Sequence, residues 1–331
     1  MSRGVTTKHT KHTKAITRSL TACLRTNGGC LFPFRLFRVF RGPYFGGCPC
    51  LRFGVTVSIS QSLPMESKTK IVLITGAEGL VGSVLRRGLA KDFRLIALTR
   101  TPQPFESRVT DIGDLEALVA AFRGVDAVVH LAAASALNAP WEEVRDSNIV
   151  GTRNVFEAAR LAAVPTVIFA SSGHVLGMAE EEAGSALYAL GDERVFDHSA
   201  PPRPDSLYAV SKIFGEAIGR YYSDIFSLRV ICVRLGMILP DDDPGSASPG
   251  QGRSASLPVG ERYPRVRAKW LSQRDCCELF RRCIGAENVR WAVVFGTSDN
   301  PRQLWSLAEA RNVLGYAPVD AAPVHPDSPG H

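Results

Sequence analysis

A doubly wound α/β fold on a parallel sheet is predicted for this 331-residue chain by three observations. Short apolar runs alternate with longer helical patterns from Lys70 onward. The runs are continuous, as in strands buried on both faces of a sheet. A glycine-rich turn joins the first run to the first helix, and strand–helix alternation of this kind gives right-handed crossovers.

Ile71-Val72-Leu73-Ile74 is the first strand, followed by a helix over about Leu80–Lys91 and a strand over Arg94–Thr99. Asp114 reads as the N-cap of a helix ending near Arg123-Gly124. Ala127–Leu131 is the next strand, and a helix over roughly Trp141–Ala163 leads into Val167–Ala170. A helix over about Asp205–Tyr222 and a strand over Arg229–Val233 follow. Polar residues 178–200 and Pro/Gly/Ser-rich residues 240–262 read as long loops, of the kind that form lids or insertions. Beyond them a helix near Ser272–Ile284, a strand at Trp291–Phe295 and a short helix from about Gln303 to Leu314 are expected.

The formal charge of +7 belongs to the start of the chain. Residues 1–64 hold ten Lys/Arg and no Asp or Glu, which leaves −3 for residues 65–331. The folded part therefore has no basic excess pointing to nucleic acid. The leader has the composition of an organelle transit peptide, or is a gene-model extension before a true start at Met65. The first reading implies a mitochondrial protein and the second a cytoplasmic one. The expected organisation is a leader over 1–64, one α/β domain over 65–320 whose C-terminal part begins at about 234, and a loose tail over 321–331. No apolar run reaches the roughly 18–20 residues of a membrane-spanning helix. Cys232, Cys276, Cys277 and Cys283 read as buried reduced thiols, and no cysteine spacing suggests a metal site.

Three motifs carry chemistry. In Thr75-Gly76-Ala77-Glu78-Gly79-Leu80-Val81-Gly82, Gly76 permits the tight turn and Gly79 lets the backbone approach a pyrophosphate. Gly82 lets the helix pack on the strand, with its N-terminal amides toward the phosphates. In Tyr208-Ala209-Val210-Ser211-Lys212 the spacing puts Tyr208 and Lys212 one helical turn apart. A nearby ammonium favours the phenolate, so the pair forms an acid/base near neutral pH. Ser172 ends the strand Val167–Ala170 at the carboxyl edge, where open α/β sheets bind ligands. Its hydroxyl could equally be a strand-end cap.

These motifs, with Thr110-Asp111-Ile112, His130-Leu131-Ala132-Ala133 and Asn148-Ile149-Val150-Gly151-Thr152, resemble the extended short-chain dehydrogenases. This is the NAD-dependent epimerase/dehydratase family, and the likeness spans about Lys70–Pro318. It implies a Rossmann-like fold and a nicotinamide dinucleotide, NAD or NADP, held by the glycine turn with Asp111, Ile112, Leu131, Ala132 and Ala133. It also implies that Asn148 supports a proton-relay water, that Lys212 binds the nicotinamide ribose, and that Ser172 and Tyr208 are catalytic.

Ser171–Gly177, Arg203–Tyr208, Lys269-Trp270-Leu271-Ser272, Gly296–Asn300 and Leu314–Pro318 narrow the likeness to the uronate dehydrogenases. Those enzymes oxidise the anomeric carbon of a hexuronic acid to a lactone. The resemblance implies that Ser135 and His174 meet sugar oxygens and that Arg265 pairs with the uronate carboxylate. The chain departs from those enzymes in carrying Gly173 where they carry Asn, and in its two long loops. His174 also has a packing reading, and Arg265 a reading as a surface arginine.

NAD enzymes place an acid at the end of the second strand to hold the ribose 2′-hydroxyl. Thr99 stands there, followed by Arg100, a residue that can accept a 2′-phosphate. NADP tolerance is therefore expected. The leading function is NAD(P)-dependent oxidation of a hydroxyl on a small carbohydrate, a sugar acid or polyol. A sugar-nucleotide epimerase or dehydratase is the runner-up, with only 119 residues after Lys212 for a large pocket. A non-catalytic dinucleotide-binding regulator is the third reading. The family implies a homodimer.

Overall fold

The computed structural model describes residues 69–245 and 259–324. Expectations for the leader, and for residues 246–258 of the second loop, fall outside the described residues.

Seven parallel strands form one sheet among the described residues. They are β1 (Ile71–Thr75), β2 (Arg94–Thr99), β3 (Ser107–Val109), β4 (Ala127–His130), β5 (Thr166–Ser172), β6 (Arg229–Leu235) and β7 (Trp291–Gly296). The spatial order is β3-β2-β1-β4-β5-β6-β7. Chain direction across the sheet reverses between β1 and β4, which pair in the register Thr75↔His130. Such a reversal opens a crevice at the carboxyl ends of the two strands.

Alternation along the strands divides the core in two. Val72 and Ile74 join the cluster against α1 (Leu80–Gly88), whereas Leu73 joins the cluster on the opposite face. The second cluster includes Leu118 and Phe122 of α2 (Leu115–Phe122). As anticipated, Asp114 caps that helix, accepting from Ala117 N at 3.0 Å. Residues of β1 are buried on both sides, so hydrophobic burial specifies the strand twice over.

The expected helix Trp141–Ala163 is a composite. A turn, α3 (Trp141–Glu143), leads into a π-helical stretch Val144–Gly151 and then α4 (Thr152–Leu161). Asn148 sits in the π-helical part, and such bulges often re-aim a side chain at functional sites. Helix α6 (Leu207–Phe226) starts two residues later than expected because Ser206 caps it, accepting from Ala209 N at 3.1 Å.

The loop expectations need correction. Residues 178–200 are partly helical: after a 3-10 turn (Gly173–Leu176), α5 (Gly177–Ala183) and a second 3-10 turn (Ser185–Tyr188) fold inward. Their Ala and Glu favour helix, and burial of Leu187 and Tyr188 anchors them. The second expected loop ends early, because α7 (Val259–Lys269) begins inside it. Helix α8 (Gln273–Gly285) is capped by Ser272. Helix α9 (Ala308–Leu314) is shorter than the expected Gln303–Leu314. Strand β3 was too short and too polar to stand out in the sequence. Packing also continues past Ala321: Ala322 is buried and its N–H donates to Asn300 Oδ1 at 3.1 Å.

Cys232, Cys276, Cys277 and Cys283 are buried free thiols. No helix among the described residues is long and apolar enough to cross a membrane, and none of their His, Cys, Asp and Glu clusters could hold a metal.

Candidate active site

The crevice between β1 and β4 is shaped by glycine. Gly76 has φ +66°, and a Cβ there would lie 2.7 Å from Ala132 N. A Cβ on Gly82 would meet the Gly76 carbonyl oxygen at 2.5 Å, so α1 packs directly on the turn. Gly79, the residue before α1, has only that same oxygen near its Cβ position, at 3.4 Å. No side chain caps the start of α1, and no acid lies in its first turn. The helix therefore presents free amides and an uncompensated positive end, as a pyrophosphate requires.

The walls of this cradle are held from behind. Thr75 Oγ1 accepts from Leu131 N and Ala132 N, both at 3.2 Å, and lies 2.8 Å from His130 Nδ1. His130 Nε2 lies 3.1 Å from Thr152 Oγ1. Burial and the charge of Lys212 push the His130 pKa down to about 3, so the ring is neutral at any working pH. Asn154 Nδ2 donates to the carbonyls of Ile112 and Gly113, and Asp111 Oδ1 accepts from Gly113 N, which fixes the Asp111-Ile112 turn. Thr99 is buried at the end of β2, its hydroxyl without a hydrogen-bond partner, and Arg100 beside it is exposed. Leu80 is exposed and Val81, Leu131, Ala132 and Ala133 are half-buried, leaving apolar surface along the crevice. A glycine cradle, open helix amides and an unpartnered hydroxyl at β2 together fit a dinucleotide.

The residues expected to act as acid and base converge at the end of β5. The Ser172 hydroxyl lies near enough to the Tyr208 phenol to favour its ionised form, and it accepts from His174 N at 3.2 Å. Lys212 Nζ lies 5.4 Å from the centre of the Tyr208 ring and donates to the Ala170 carbonyl at 2.8 Å. Asn148 holds a backbone and a helix at once: it exchanges hydrogen bonds with Ala134 and donates to Ser211 Oγ at 2.9 Å.

The electrostatics differ from the sequence expectation. Burial raises the Tyr208 pKa, Ser172 partly offsets this, and Asp205 adds to the rise. Burial also lowers Lys212 to about 8. Lys212 faces the Ala170 carbonyl, so in the protein alone desolvation outweighs any pull of the ammonium on the phenol.

The match to the NAD dependent epimerase/dehydratase family model covers residues 72–241. The chain belongs to that family. It is an NAD(P)-dependent dehydrogenase of the extended short-chain type. It is 38% identical over 260 residues to the NAD-dependent glucose-6-phosphate dehydrogenase of Haloferax volcanii, covering 75% of this chain and 93% of the relative. It is 39% identical over 253 residues to the L-arabinose 1-dehydrogenase (NAD(P)(+)) of the same organism, covering 75% and 96%. Among solved structures, uronate dehydrogenase from Agrobacterium tumefaciens superposes with a TM-score of 0.62 at 29% identity, over 78% of this chain and 92% of that one.

Within this epimerase/dehydratase-family site the structure brings Ser172, Tyr208, Lys212 and Asn148 together. The other anticipated substrate residues are placed unequally. His174 is half-buried, its Nδ1 2.7 Å from Asp205 Oδ2 and its ring edge-on to Tyr208 at 6.3 Å. Ser135 is exposed on the loop after β4. Arg265 is buried in α7, not on the surface, with Nη2 3.9 Å from Glu180 Oε2.

Several contacts of this region carried no signal in the sequence. Glu180 and Lys269 form a buried ion pair, and Asp205 orients His174. Glu216 accepts from Ser171 Oγ at 2.6 Å and pairs with Arg234 through two bonds of 2.9 Å, bracing the ends of β5 and β6. Each partner is distant in sequence, so no local pattern announces the pair.

Proposed function

We propose that the protein oxidises the C1 hydroxyl of a small aldose to the lactone. The carrying observation is the convergence, at the carboxyl edge of the sheet, of Ser172 at the end of β5 with Tyr208 and a buried Lys212 one helical turn apart, the ammonium 5.4 Å from the centre of the phenol ring. When bound, the nicotinamide dinucleotide supplies the hydride acceptor. The glycine turn with Leu80 and Val81 would hold its pyrophosphate, Asp111 and Ile112 its adenine side, and Leu131, Ala132 and Ala133 its length. Lys212 would hold the nicotinamide ribose.

Ser172 would bind the sugar hydroxyl oxygen while Tyr208 Oη takes its proton. Phenol deprotonation is opposed by burial here, so an ammonium freed from the Ala170 carbonyl toward the ribose and the phenol would lower that cost. Asn148, tied to Ala134 and Ser211, would keep the π-helical turn open for a water that relays the proton outward. His174, oriented by Asp205, and Ser135 would meet further sugar oxygens. A homodimer is consistent with the exposed Tyr221, Ile225 and Phe226 at the end of α6.

The test follows absorbance of the reduced nicotinamide with the full chain. Aldoses, uronates and sugar nucleotides are each offered with NAD and with NADP. Reduction driven by free sugars supports the reading. Conversion of sugar nucleotides, with none of the free sugars oxidised, would replace it with an epimerase or dehydratase.

A further inference from the structure

The segment after β5 folds inward to deliver one carboxylate against two buried cations. Glu180 is 3% exposed, Arg265 and Lys269 4% each. Lys269 Nζ donates to both Glu180 oxygens, at 2.9 and 2.8 Å. Tyr188 Oη donates to Glu180 Oε2 at 2.9 Å, and Arg265 Nη2 lies 3.9 Å from the same oxygen. The carboxylate is thus gripped from three sides.

This cluster adjoins the sugar site. Lys269 Nζ sits 4.6 Å from the centre of the Trp305 ring. The far edge of that ring fills the space beside Gly173, the residue after Ser172. The carbonyl of Lys269 packs on Gly236, just past the end of β6. The charge of Asp205, the partner of His174, also reaches Lys269.

Among the described residues, the charges acting on Lys269 are those of Arg265, Glu180 and Asp205, so two carboxylates stand against two cations. A uronate carboxylate entering beside Arg265 would find its cation already engaged and a second carboxylate next to it. Like charges in a water-poor site oppose one another strongly, and a buried anion without its own cation is disfavoured. A neutral sugar arm meets neither obstacle.

We propose that Glu180 takes the place a substrate carboxylate would occupy, making this enzyme a dehydrogenase of neutral aldoses that rejects the matching uronates. The inference rests on the aldose-oxidising reading above. It concerns the specificity set by Glu180, not the chemistry at Tyr208.

The test compares kcat/KM for glucose against glucuronate and for galactose against galacturonate, in the wild type and in Glu180→Gln. The amide keeps the shape of Glu180 and removes its charge. The wild type is expected to favour the neutral sugar of each pair by about 100-fold or more. Glu180→Gln should narrow that ratio by about 10-fold or more, chiefly through a lower uronate KM. Quenching of protein fluorescence by the cofactor reports whether the variant is folded. A wild type that oxidises uronates as well as neutral sugars overturns the proposal, and does so even if the variant fails to fold. A folded Glu180→Gln with an unchanged ratio overturns it too. Absence of turnover on all four sugars, with cofactor still bound, would instead remove the aldose reading beneath it.

Discussion

Gly173 and Trp305 compete for one space: a Cβ built on Gly173 would lie 2.0 Å from Trp305 Cη2. Trp305 is stacked on Phe295 at 5.1 Å and almost fully buried, so it cannot withdraw. The departure from Asn at this position therefore has a physical cause. The indole takes the volume, and the glycine is its consequence.

The first prediction concerns that pair. Gly173→Asn should destabilise the protein by about 1–3 kcal/mol, the usual penalty for overpacking. Trp305→Leu combined with it should recover part of the loss, because the two changes share one cavity. Chemical denaturation of the two single variants and the double variant measures this coupling. Purely additive effects would show that the two residues do not compete.

Tyr208→Phe should lower turnover by about 10²- to 10⁴-fold, the range a positioned acid/base contributes. Cofactor affinity, read by fluorescence quenching, should stay near wild type. In the proposed mechanism the base is the ionised phenol, and burial raises its pKa. Wild-type kcat is therefore expected to rise with pH from neutrality, while the residual rate of the variant should lack that rise.

Lys212→Met should also abolish most turnover, yet make the cofactor-free protein more stable at pH 7. Burial lowers Lys212 from 10.5 to about 8, so the unfolded chain holds a proton more tightly than the folded one. That mismatch costs the wild type about 3 kcal/mol at neutral pH, less whatever the hydrogen bond to Ala170 returns. The cost is full below about pH 8 and is relieved as pH rises toward 10.5. The stability advantage of Met should consequently shrink across that window in denaturant titrations. A constant gap would mean that Lys212 has the same pKa in the folded and the unfolded protein.

Arg100→Ala should reduce kcat/KM for NADP by about 10-fold or more and leave NAD nearly unchanged, since a guanidinium is a strong phosphate partner. Thr99 brings no carboxylate to repel a 2′-phosphate, and Arg100 is exposed beside it. Parallel steady-state assays with the two cofactors decide this. An equal loss for both would assign Arg100 a structural task.

The helical spacing of Tyr208 and Lys212, the glycines of the turn and Ser172 at a strand end are all local patterns, and local patterns are legible. So were the continuous apolar runs of β1, β4, β5, β6 and β7. Strand β3 escaped because three partly exposed residues leave no period to read. The segment 178–200 escaped for another reason. Its polar surface resembled a loop, and only Tyr188, Leu187 and Glu180 pointing inward make it a folded insert.

By itself, then, the sequence determined the order of the main strands and helices and pointed to the dinucleotide turn and to Ser172, Tyr208 and Lys212 as an acid/base trio, because periodicity and spacing act over a few residues. The tertiary structure alone decided which charges meet. Glu180 and Lys269 lie 89 residues apart and bond in the interior. Asp205 reaches back 31 residues to His174, and Trp305 closes over Gly173. The balance between desolvation and pairing, which sets the state of Lys212 and the fate of Arg265, exists only once distant segments are packed together.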